Sequence, residues 1–281
     1  MQNQQCKYWA AEQKQLRALE NEEHYEGEKP IPSVFLSPST QAYNLYITGE
    51  NERDQMNLLA DAMEVFLDLA GIAYGRNDPE GNVRISVEMS NEGDYGLHLP
   101  LHSNAAPEGQ SGQWRGPLVM FYPENSDEER AATYLAQQLA TIYPDPASVV
   151  LRAESGLYEL AQTIAPTAFV EVAFHDNLED ARWIVDNTIE IADRLTEGVA
   201  NYFGVSYASN RPPHRAWVNV QTRLNVRKLP GTEFPIVTQL ENQQCLCVLR
   251  EIGCNGTSCQ WSYICLEDGT RGWVASEFLR V

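Results

Sequence analysis

The chain has 281 residues and a mass of 31.6 kDa, a length that favours two domains or one large domain with a small module. Its hydrophobic content of 43% and charged content of 21% exclude collagen-like, low-complexity and disordered chains. No run of about 18 consecutive apolar residues occurs, so the sequence predicts no transmembrane segment. The net charge of −19 repels phosphate backbones, which argues against nucleic acid as a partner.

The charge and the cysteines are distributed unevenly along the chain. Residues 217–281 carry six basic and six acidic side chains, so the whole net charge of −19 lies in residues 1–216. Five of the six cysteines lie after residue 244. These two changes predict a domain boundary near Arg211-Pro212-Pro213-His214. We therefore predict an N-terminal helical segment over 1–32, a larger domain over 33–208 and a small domain over 217–281.

The beginning of the chain lacks the apolar core of a secretory signal peptide. Trp9, Leu16 and Leu19 place a narrow apolar stripe on a helix whose other faces carry Gln, Lys and Glu. This helix is expected to pack on the main domain, and a partner-binding or processed segment is the alternative. Synthesis in the cytoplasm without a signal peptide is the corresponding expectation for localisation.

The larger predicted domain alternates short apolar runs with amphipathic helical patterns. The predicted strands are 33–36, 97–101, 118–122 and 168–174, and the predicted helices are 52–69, 127–142 and 178–202. Residues 83–89 fit either a strand or a helix. Gly71 and Gly204 stand where helix C-terminal caps are expected, and Ser126 with Glu129 matches a capping box. The alternation predicts an α/β fold, with a mostly parallel twisted sheet flanked by helices on both faces.

After the prolines the pattern changes to short β-type runs. They lie at 224–227, 236–237, 247–249 and 261–264, separated by Pro230-Gly231, Asn255-Gly256 and Asp268-Gly269. Several short strands with turn residues between them predict a small β-barrel.

Polar side chains occur where the predicted strands end, and α/β proteins place their functional groups at strand ends. Glu171 lies inside the apolar run 168–174, where a buried and unpaired carboxylate would cost several kcal/mol. It is expected to face a cation, a donor network or a solvent-filled site, unless it lies at an exposed edge. His102, at another strand end, is a second candidate, with a satisfied core histidine as the alternative. Glu52 opens a helix, where the helix dipole alone favours an acidic residue.

Together these motifs resemble the zinc-dependent N-acetylmuramoyl-L-alanine amidases of the amidase type 3 family. The family's helix-opening Glu corresponds to Glu52, and its Ser-Ile-His-Ala-Asn-Ala motif corresponds to Pro-Leu-His-Ser-Asn-Ala at 100–105. Its late strand Val-Leu-Val-Glu-Leu-Gly-Phe corresponds to Ala-Phe-Val-Glu-Val-Ala-Phe at 168–174. The resemblance covers residues 34–203 in the family's order.

The resemblance implies hydrolysis of the amide between N-acetylmuramic acid and L-alanine in peptidoglycan. Zinc would polarise the scissile carbonyl and activate a water, and Glu171 would move the proton from that water to the leaving amine. Asn104 would hold the His102 loop or the substrate. The expected cofactor is therefore zinc, and the expected partner is the cell wall.

One position departs from the family's pattern. Where the family has its first zinc-binding His, this chain has Ser-Pro-Ser-Thr-Gln at 37–41, so only Glu52 and His102 carry over. His175 is one replacement, although full extension would set it about 13 Å from Glu171 and a turn would have to return it. Gln41 is the other replacement, and loss of the metal is the third reading. We predict Glu52, His102 and His175 as metal ligands, with Gln41 and Asn104 as substrate-binding residues.

Residues 217–281 resemble bacterial SH3 modules, a class that often binds cell-wall peptides. Trp261 and Trp273 are expected to pack in the core. Cys254 and Cys259 span a turn and could form a disulfide, although reduced or partly oxidised thiols are favoured over structural zinc.

Two other functions stay open at this point. The missing loop His motivates a non-catalytic wall-binding protein on a degenerate amidase scaffold. A hydrolase of the same fold acting on another amide is the second alternative, because sequence indicates reaction type better than substrate. A chain without a signal peptide would reach the wall by lysis, a holin-type route or another export path.

Overall fold

The computed structural model describes residues 32–209, 211–255 and 258–281. The predicted N-terminal helical segment, 1–32, therefore lies outside the described residues except for Pro32. The chain divides into two compact units with a boundary between Phe203 and Gly204. Gly204 has φ +67°, a left-handed conformation that glycine adopts at little cost. Within the described ranges, no helix is long and apolar enough to cross a membrane.

The first unit combines a sheet with helices. Its strands are β1 (Ser33–Pro38), β2 (Ala73–Arg76), β3 (Leu97–Asn104), β4 (Leu118–Phe121), β5 (Val150–Ala153) and β6 (Phe169–Phe174). Its helices are α1 (Glu52–Ala70), α2 (Val83–Glu92), α3 (Ser126–Ala140), α4 (Tyr158–Gln162) and α5 (Leu178–Phe203).

The sheet has the strand order β2-β1-β3-β6-β4-β5. Strands β2, β1, β3 and β6 are parallel to one another. Strand β4 is antiparallel to β6 and carries β5 parallel to itself. The predicted α/β class with a mostly parallel sheet is therefore confirmed, and the β4–β5 pair is its exception.

Apolar periodicity explains how the helices and the central strands form. In α1 the buried residues include Met56, Leu59, Met63 and Phe66, each at most 1% exposed, at the spacing of one helix face. Full burial of such a side chain is worth about 1.5–3 kcal/mol. Helices α3 and α5 pack closely at Gly198, because a Cβ there would lie 2.9 Å from a methyl group of Leu135.

Some local predictions differ from the structure. The ambiguous segment 83–89 belongs to helix α2, which Asn82 caps through its side chain. The predicted N-cap Ser126 is wrong, because Asn125 accepts from the backbone N–H groups of Asp127 and Glu128. The short elements β2, β5 and α4 were not predicted.

The second unit is a curled antiparallel sheet. Its strands are β7 (His214–Val218), β8 (Arg223–Arg227), β9 (Ile236–Glu241), β10 (Cys245–Asn255), β11 (Ser258–Cys265), β12 (Arg271–Ala275) and β13 (Leu279–Arg280). They are ordered β13-β7-β10-β11-β12-β8-β9, which is consistent with an SH3-like domain. The core includes Val226, Val248, Ile264 and Val274.

The cysteines of the second unit are in two states. Cys254 and Cys259 form a disulfide, whereas the sequence favours reduced or partly oxidised thiols. Cys245, Cys247 and Cys265 are free. Trp273 is a core residue, 1% exposed, as expected.

Candidate active site

Three neighbouring parallel strands, β1, β3 and β6, bring polar side chains together near their carboxyl ends. In the register of β3 and β6, His102 lies directly beside Glu171. Helix α1 begins with Glu52, whose backbone N–H donates to the Asn44 carbonyl. The three residues that the motifs singled out are thus neighbours in the structure.

Glu52 and His102 form the centre of this cluster. Glu52 Oε1 lies 2.8 Å from His102 Nδ1, and Asn44 Nδ2 donates to Glu52 Oε2 at 2.6 Å. Glu52 is only 1% exposed. Burial works against its ionisation, but the hydrogen bond with His102 and three further interactions outweigh burial and lower the pKa of Glu52. A buried carboxylate with this many donors stays ionised.

The other imidazole nitrogen of His102 faces a carboxylate that the sequence reading did not single out. Glu159 Oε2, from α4, lies 3.5 Å from His102 Nε2. Burial opposes protonation of His102, but hydrogen bonds to Glu159 and Glu52 outweigh it and raise the pKa of His102 to about 10. Burial also opposes ionisation of Glu159, but His102 and His98 lower its pKa to about 2. His102 therefore lies between two ionised carboxylates.

Glu171 behaves differently from these two carboxylates. Burial raises the pKa of Glu171 to about 7, although the nearby His102 acts in the opposite direction. Its Oε2 is buried and has no hydrogen-bond partner among the described residues. A carboxyl group that exchanges its proton near neutral pH is suited to general acid–base chemistry. The strand register places it beside His102 rather than at an exposed edge.

His175 is not brought to the Glu52–His102 pair. Its Nδ1 lies 2.9 Å from the carbonyl oxygen and 3.0 Å from the hydroxyl of Ser103. Its ring stacks on Tyr46 with centroids 5.2 Å apart. None of these contacts joins the imidazole to Glu52 or His102, and its assignment as a metal ligand stays a prediction.

The two predicted substrate-binding residues differ in position. Gln41 Oε1 accepts from Tyr43 Oη at 2.9 Å and from Asn44 Nδ2 at 3.1 Å, and the same Asn44 nitrogen donates to Glu52. Gln41 is therefore linked to the cluster through one side chain. Asn104 instead accepts from the next backbone N–H through Oδ1, and its own carbonyl accepts from His175 N–H, so it shapes the end of β3.

The turn after β6 is anchored by a buried acid. Asp180, which is not exposed, accepts from the Gly116 N–H at 2.9 Å, from the Phe174 N–H at 3.1 Å and from Tyr143 Oη at 2.6 Å. These bonds fix the path of the chain immediately after the strand that carries Glu171.

Exposed apolar side chains lie on two segments that are bonded to the turn after β6. The Ile47 N–H donates to the His175 carbonyl at 3.0 Å, and the Asn177 side chain donates to the Gly112 carbonyl at 2.9 Å. Both segments are thus tied to the turn after β6. The exposed side chains are Tyr43, Leu45, Ile47 and Trp114, at 78%, 66%, 56% and 49% exposure.

The donor set fits zinc in part. Glu52 Oε1 and His102 Nδ1 face each other, and each side chain has an outer partner, Asn44 or Glu159, as metal ligands in proteins usually do. A catalytic zinc takes three protein ligands. In the part of the chain that the structure describes, no three His, Cys, Asp or Glu residues are grouped to hold a metal. The residues present thus supply two ligands, and a third would have to be of another type, such as the Gln41 amide oxygen.

Glu159 and His98 are the site residues that sequence reasoning missed. His98 is four residues before His102 on β3, hence on the same face of the strand. Glu159 lies between Leu157 and Leu160 in an otherwise apolar stretch. The argument applied to Glu171, that a carboxylate among apolar residues must have a partner, applies equally to Glu159.

The strand ends of this α/β sheet thus gather a buried carboxylate beside a Glu–His pair, an arrangement of side chains that suits hydrolysis. Residues 42–201 match the family described as N-acetylmuramoyl-L-alanine amidase, and residues 222–280 match the bacterial SH3 domain. The first match covers more than half of the chain. The chain therefore belongs to the N-acetylmuramoyl-L-alanine amidases, a family of peptidoglycan hydrolases. No curated protein sequence matches it.

Solved structures show the same fold at low identity. The N-acetylmuramyl-L-alanine amidase Ami1 of Mycobacterium smegmatis is 16% identical with a TM-score of 0.53, covering 63% of this chain and 99% of its own. The amidase AmiC2 of Nostoc punctiforme has the same values. The catalytic domain of CwlV from Bacillus (Paenibacillus) polymyxa is 16% identical with a TM-score of 0.54, covering 62% and 99%.

Proposed function

We propose that this chain cleaves the amide between N-acetylmuramic acid and L-alanine in peptidoglycan, with Glu171 as the general base and acid. This proposal is supported by Glu171 Oε2, which is buried and has no hydrogen-bond partner among the described residues. Burial also raises the pKa of this carboxyl group to about 7. Such a carboxylate can accept a proton from the attacking water at neutral pH and return it to the leaving amine. Because no described residue donates to this oxygen, its lone pairs are available to a water as hydrogen-bond donor.

Within this proposal, Glu52 and His102 hold a zinc ion. When bound there, zinc polarises the scissile carbonyl and lowers the pKa of a water molecule. The outer partners keep these two side chains in place, with Asn44 on Glu52 and Glu159 beside His102. Gln41 is favoured over His175 as the third ligand, because Gln41 shares Asn44 with Glu52 whereas His175 contacts Ser103.

The test combines metal content with product analysis. Purified wild-type protein should contain about one zinc per chain and release free amino groups from purified cell walls, with loss of whole stem peptides from the glycan. Glu171→Gln should keep the zinc and the fold but lose 10²–10⁴-fold in kcat, roughly the range of general acid–base catalysis. Glu80→Gln is the matched control, since Glu80 is an exposed carboxylate paired with Arg53. Full activity of Glu171→Gln would overturn the role of Glu171.

A non-catalytic wall-binding protein is the second candidate function. It is favoured by the loop 37–41, which carries no His, and by the donors that the protein itself supplies to Glu52. In this case a proton takes the place of the metal between Glu52 and His102. Folded protein that takes up no zinc, releases no amino groups and still binds walls would establish this alternative.

The second unit supplies a place for wall binding. A groove of about 880 Å³ is lined by Arg223, Arg227, Trp261 and several amide side chains. Peptide stems of the wall carry carboxylates, which guanidinium groups bind well, and an aromatic face suits apolar peptide atoms. We propose that this groove holds the wall while the first unit cleaves it, which raises the effective concentration of the amidase at its substrate.

A further inference from the structure

The hairpin formed by β10 and β11 carries two cysteine pairs, of which one is a disulfide. Cys254 and Cys259 are register partners on these strands and are joined, with their Cα atoms 4.0 Å apart. Cys247 and Cys265 are register partners on the same two strands, but their thiols are free. The proposed amidase reaction makes no use of this second pair.

The backbone geometry of the free pair already suits a disulfide. Register partners in an antiparallel sheet have Cα atoms about 4.5–5.5 Å apart, and a disulfide needs a separation of about 4.4–6.8 Å. Cys247 Sγ donates to the Val248 carbonyl at 3.8 Å, and Cys265 Sγ donates to the Leu266 carbonyl at 3.4 Å. Thiols are weak donors, so turning the two sulfur atoms toward each other gives up little.

Both thiols lie on the outer face of the sheet. Their neighbours along the strands, Leu246, Val248 and Ile264, are at most 3% exposed and belong to the core of the second unit. Side chains alternate between the two faces of a strand, and Cys247 and Cys265 are accordingly only half-buried. A small reagent therefore has access to the thiols from the outer face.

Two arginines continue this row across the sheet, one on each side of the pair. Cys247 is the register partner of Arg215 on β7, and Cys265 is the register partner of Arg271 on β12. Both arginines are exposed and share the face of the thiols. Positive charges on both sides of the thiols favour the approach of reagents that carry carboxylates.

We propose that Cys247 and Cys265 form a second disulfide by exchange with a small carboxylate-bearing disulfide of the class of oxidised glutathione. One protein thiolate attacks a sulfur of the reagent, which forms a mixed disulfide and releases one reagent thiolate. The other protein thiolate then attacks the protein sulfur of the mixed disulfide and releases the second reagent thiolate. The protein thiols are thus oxidised, the reagent is reduced to two thiols, and the two protons of the protein thiols go to them.

The disulfide already present in the hairpin cannot act as the oxidant within one folded chain. Cys247 and Cys254 both lie on β10, and their separation along the strand is roughly 20 Å at about 3.3 Å per residue. Direct attack of one pair on the other is therefore excluded, and the oxidant has to come from outside the chain.

The test maps disulfides in the full chain after incubation with oxidised glutathione, blocking with N-ethylmaleimide and tryptic digestion without reduction. Cleavage after Arg250 places Cys247 and Cys265 on different peptides, 229–250 and 251–271. The existing disulfide lies within the second peptide, so a link between the two peptides reports a new bond. We expect this link on most chains and its removal by dithiothreitol. Folded wild-type protein that forms no such link would overturn the proposal.

Serine variants identify the sulfur atoms that form the link. Cys245→Ser is the matched control, because it removes the other free thiol of β10, and it should keep the link at the wild-type level. Cys247→Ser and Cys265→Ser should each lose the link and retain glutathione on the remaining thiol, at least about tenfold above wild type, because the neighbouring thiol no longer displaces it. A link that survives in Cys247→Ser would overturn the proposal. Fragment ions of the wild-type link make the same assignment even if a variant fails to fold.

The class of reagent is tested by comparing two disulfides at low ionic strength. In wild type, the link should form faster with oxidised glutathione than with the neutral hydroxyethyl disulfide. Arg215→Gln should lower the ratio of these two rates several-fold, and added salt should lower it in wild type. The ratio is used because it cancels any change in the reactivity of the thiols themselves. A ratio that neither salt nor Arg215→Gln alters would overturn the assignment of a carboxylate-bearing reagent.

Discussion

Raising the pH should destabilise the metal-free protein, because His102 then loses a charge that two carboxylates stabilise. His102 lies between Glu52 and Glu159. Burial opposes its protonation, but hydrogen bonds to those two carboxylates raise its pKa from 6.5 to about 10. Because the pKa is higher in the folded state, this stabilisation is complete below about pH 6.5 and is lost as the pH rises through about 10.

The size of the effect follows from the same shift. At about 1.4 kcal/mol for each pKa unit, the rise sets an upper limit of about 5 kcal/mol. Breaking a buried ion pair typically costs about 3–5 kcal/mol, so we expect a loss of roughly that size. Glu171 has a folded pKa of about 7, above its ordinary value. Its contribution to the free energy of unfolding is therefore lost mainly below about pH 7, before His102 begins to lose its proton.

The assay is urea unfolding of chelator-treated protein followed by the helical circular dichroism signal at pH 7, 8.5 and 10. Apart from the last three residues of α1, all α-helices in the described residues belong to the first unit, so this signal reports the unit that holds His102. His102→Gln is measured in parallel to subtract the ionisation of tyrosines and thiols. The advantage of wild type over His102→Gln should shrink by about 3–5 kcal/mol between pH 7 and 10. A constant difference across this range would refute the reasoning, and zinc-loaded protein should not show the decline.

Three further changes have defined outcomes. Truncation after residue 210 should leave near-normal activity on a soluble muropeptide but much weaker activity on intact walls. The deficit on walls should shrink as salt screens the repulsion between the amidase unit and a polyanionic wall. Equal losses on both substrates would contradict the proposal that the second unit holds the amidase at the wall. His175→Asn should leave the zinc content unchanged, as measured by elemental analysis, since the imidazole contacts Ser103; loss of zinc would restore His175 as a ligand. Asp180→Asn should lower the free energy of unfolding by roughly 2–4 kcal/mol, measured by urea unfolding, whereas a loss below about 0.5 kcal/mol would contradict its anchoring role.

The parts of the fold with a strong apolar period could be predicted from the sequence. Helix α1 has its apolar residues on one face, and β6 is a nearly continuous apolar run, so both were placed close to their observed bounds. Strand β5 could not be found in this way, because all four of its residues are exposed. It is a strand only because its backbone pairs with β4, and that pairing leaves no periodic pattern in the sequence.

The candidate site was predictable to the extent that its residues occur in ordered motifs. The motif reading brought Glu52, His102 and Glu171 together, and the strand register makes them neighbours. It did not indicate Glu159, which reaches the site from a five-residue helix. Local sequence shows that such a residue needs a partner, but the identity of that partner depends on how β1, β3 and α4 pack.

The pairing of β3 with β6 limits where this chain can vary in length. His102 and Glu171 are side by side only in one register, and a single inserted residue in either strand would turn the following side chains to the opposite face of the sheet. An insertion before Glu171 within β6 would thus exchange it with an apolar neighbour, separating the base from His102 and placing a carboxylate in the core. The loops on either side of these strands are not bound by a strand register. Variation in length among functional versions of this chain should therefore be confined to the segments between strands, with 101–104 and 169–174 constant in length.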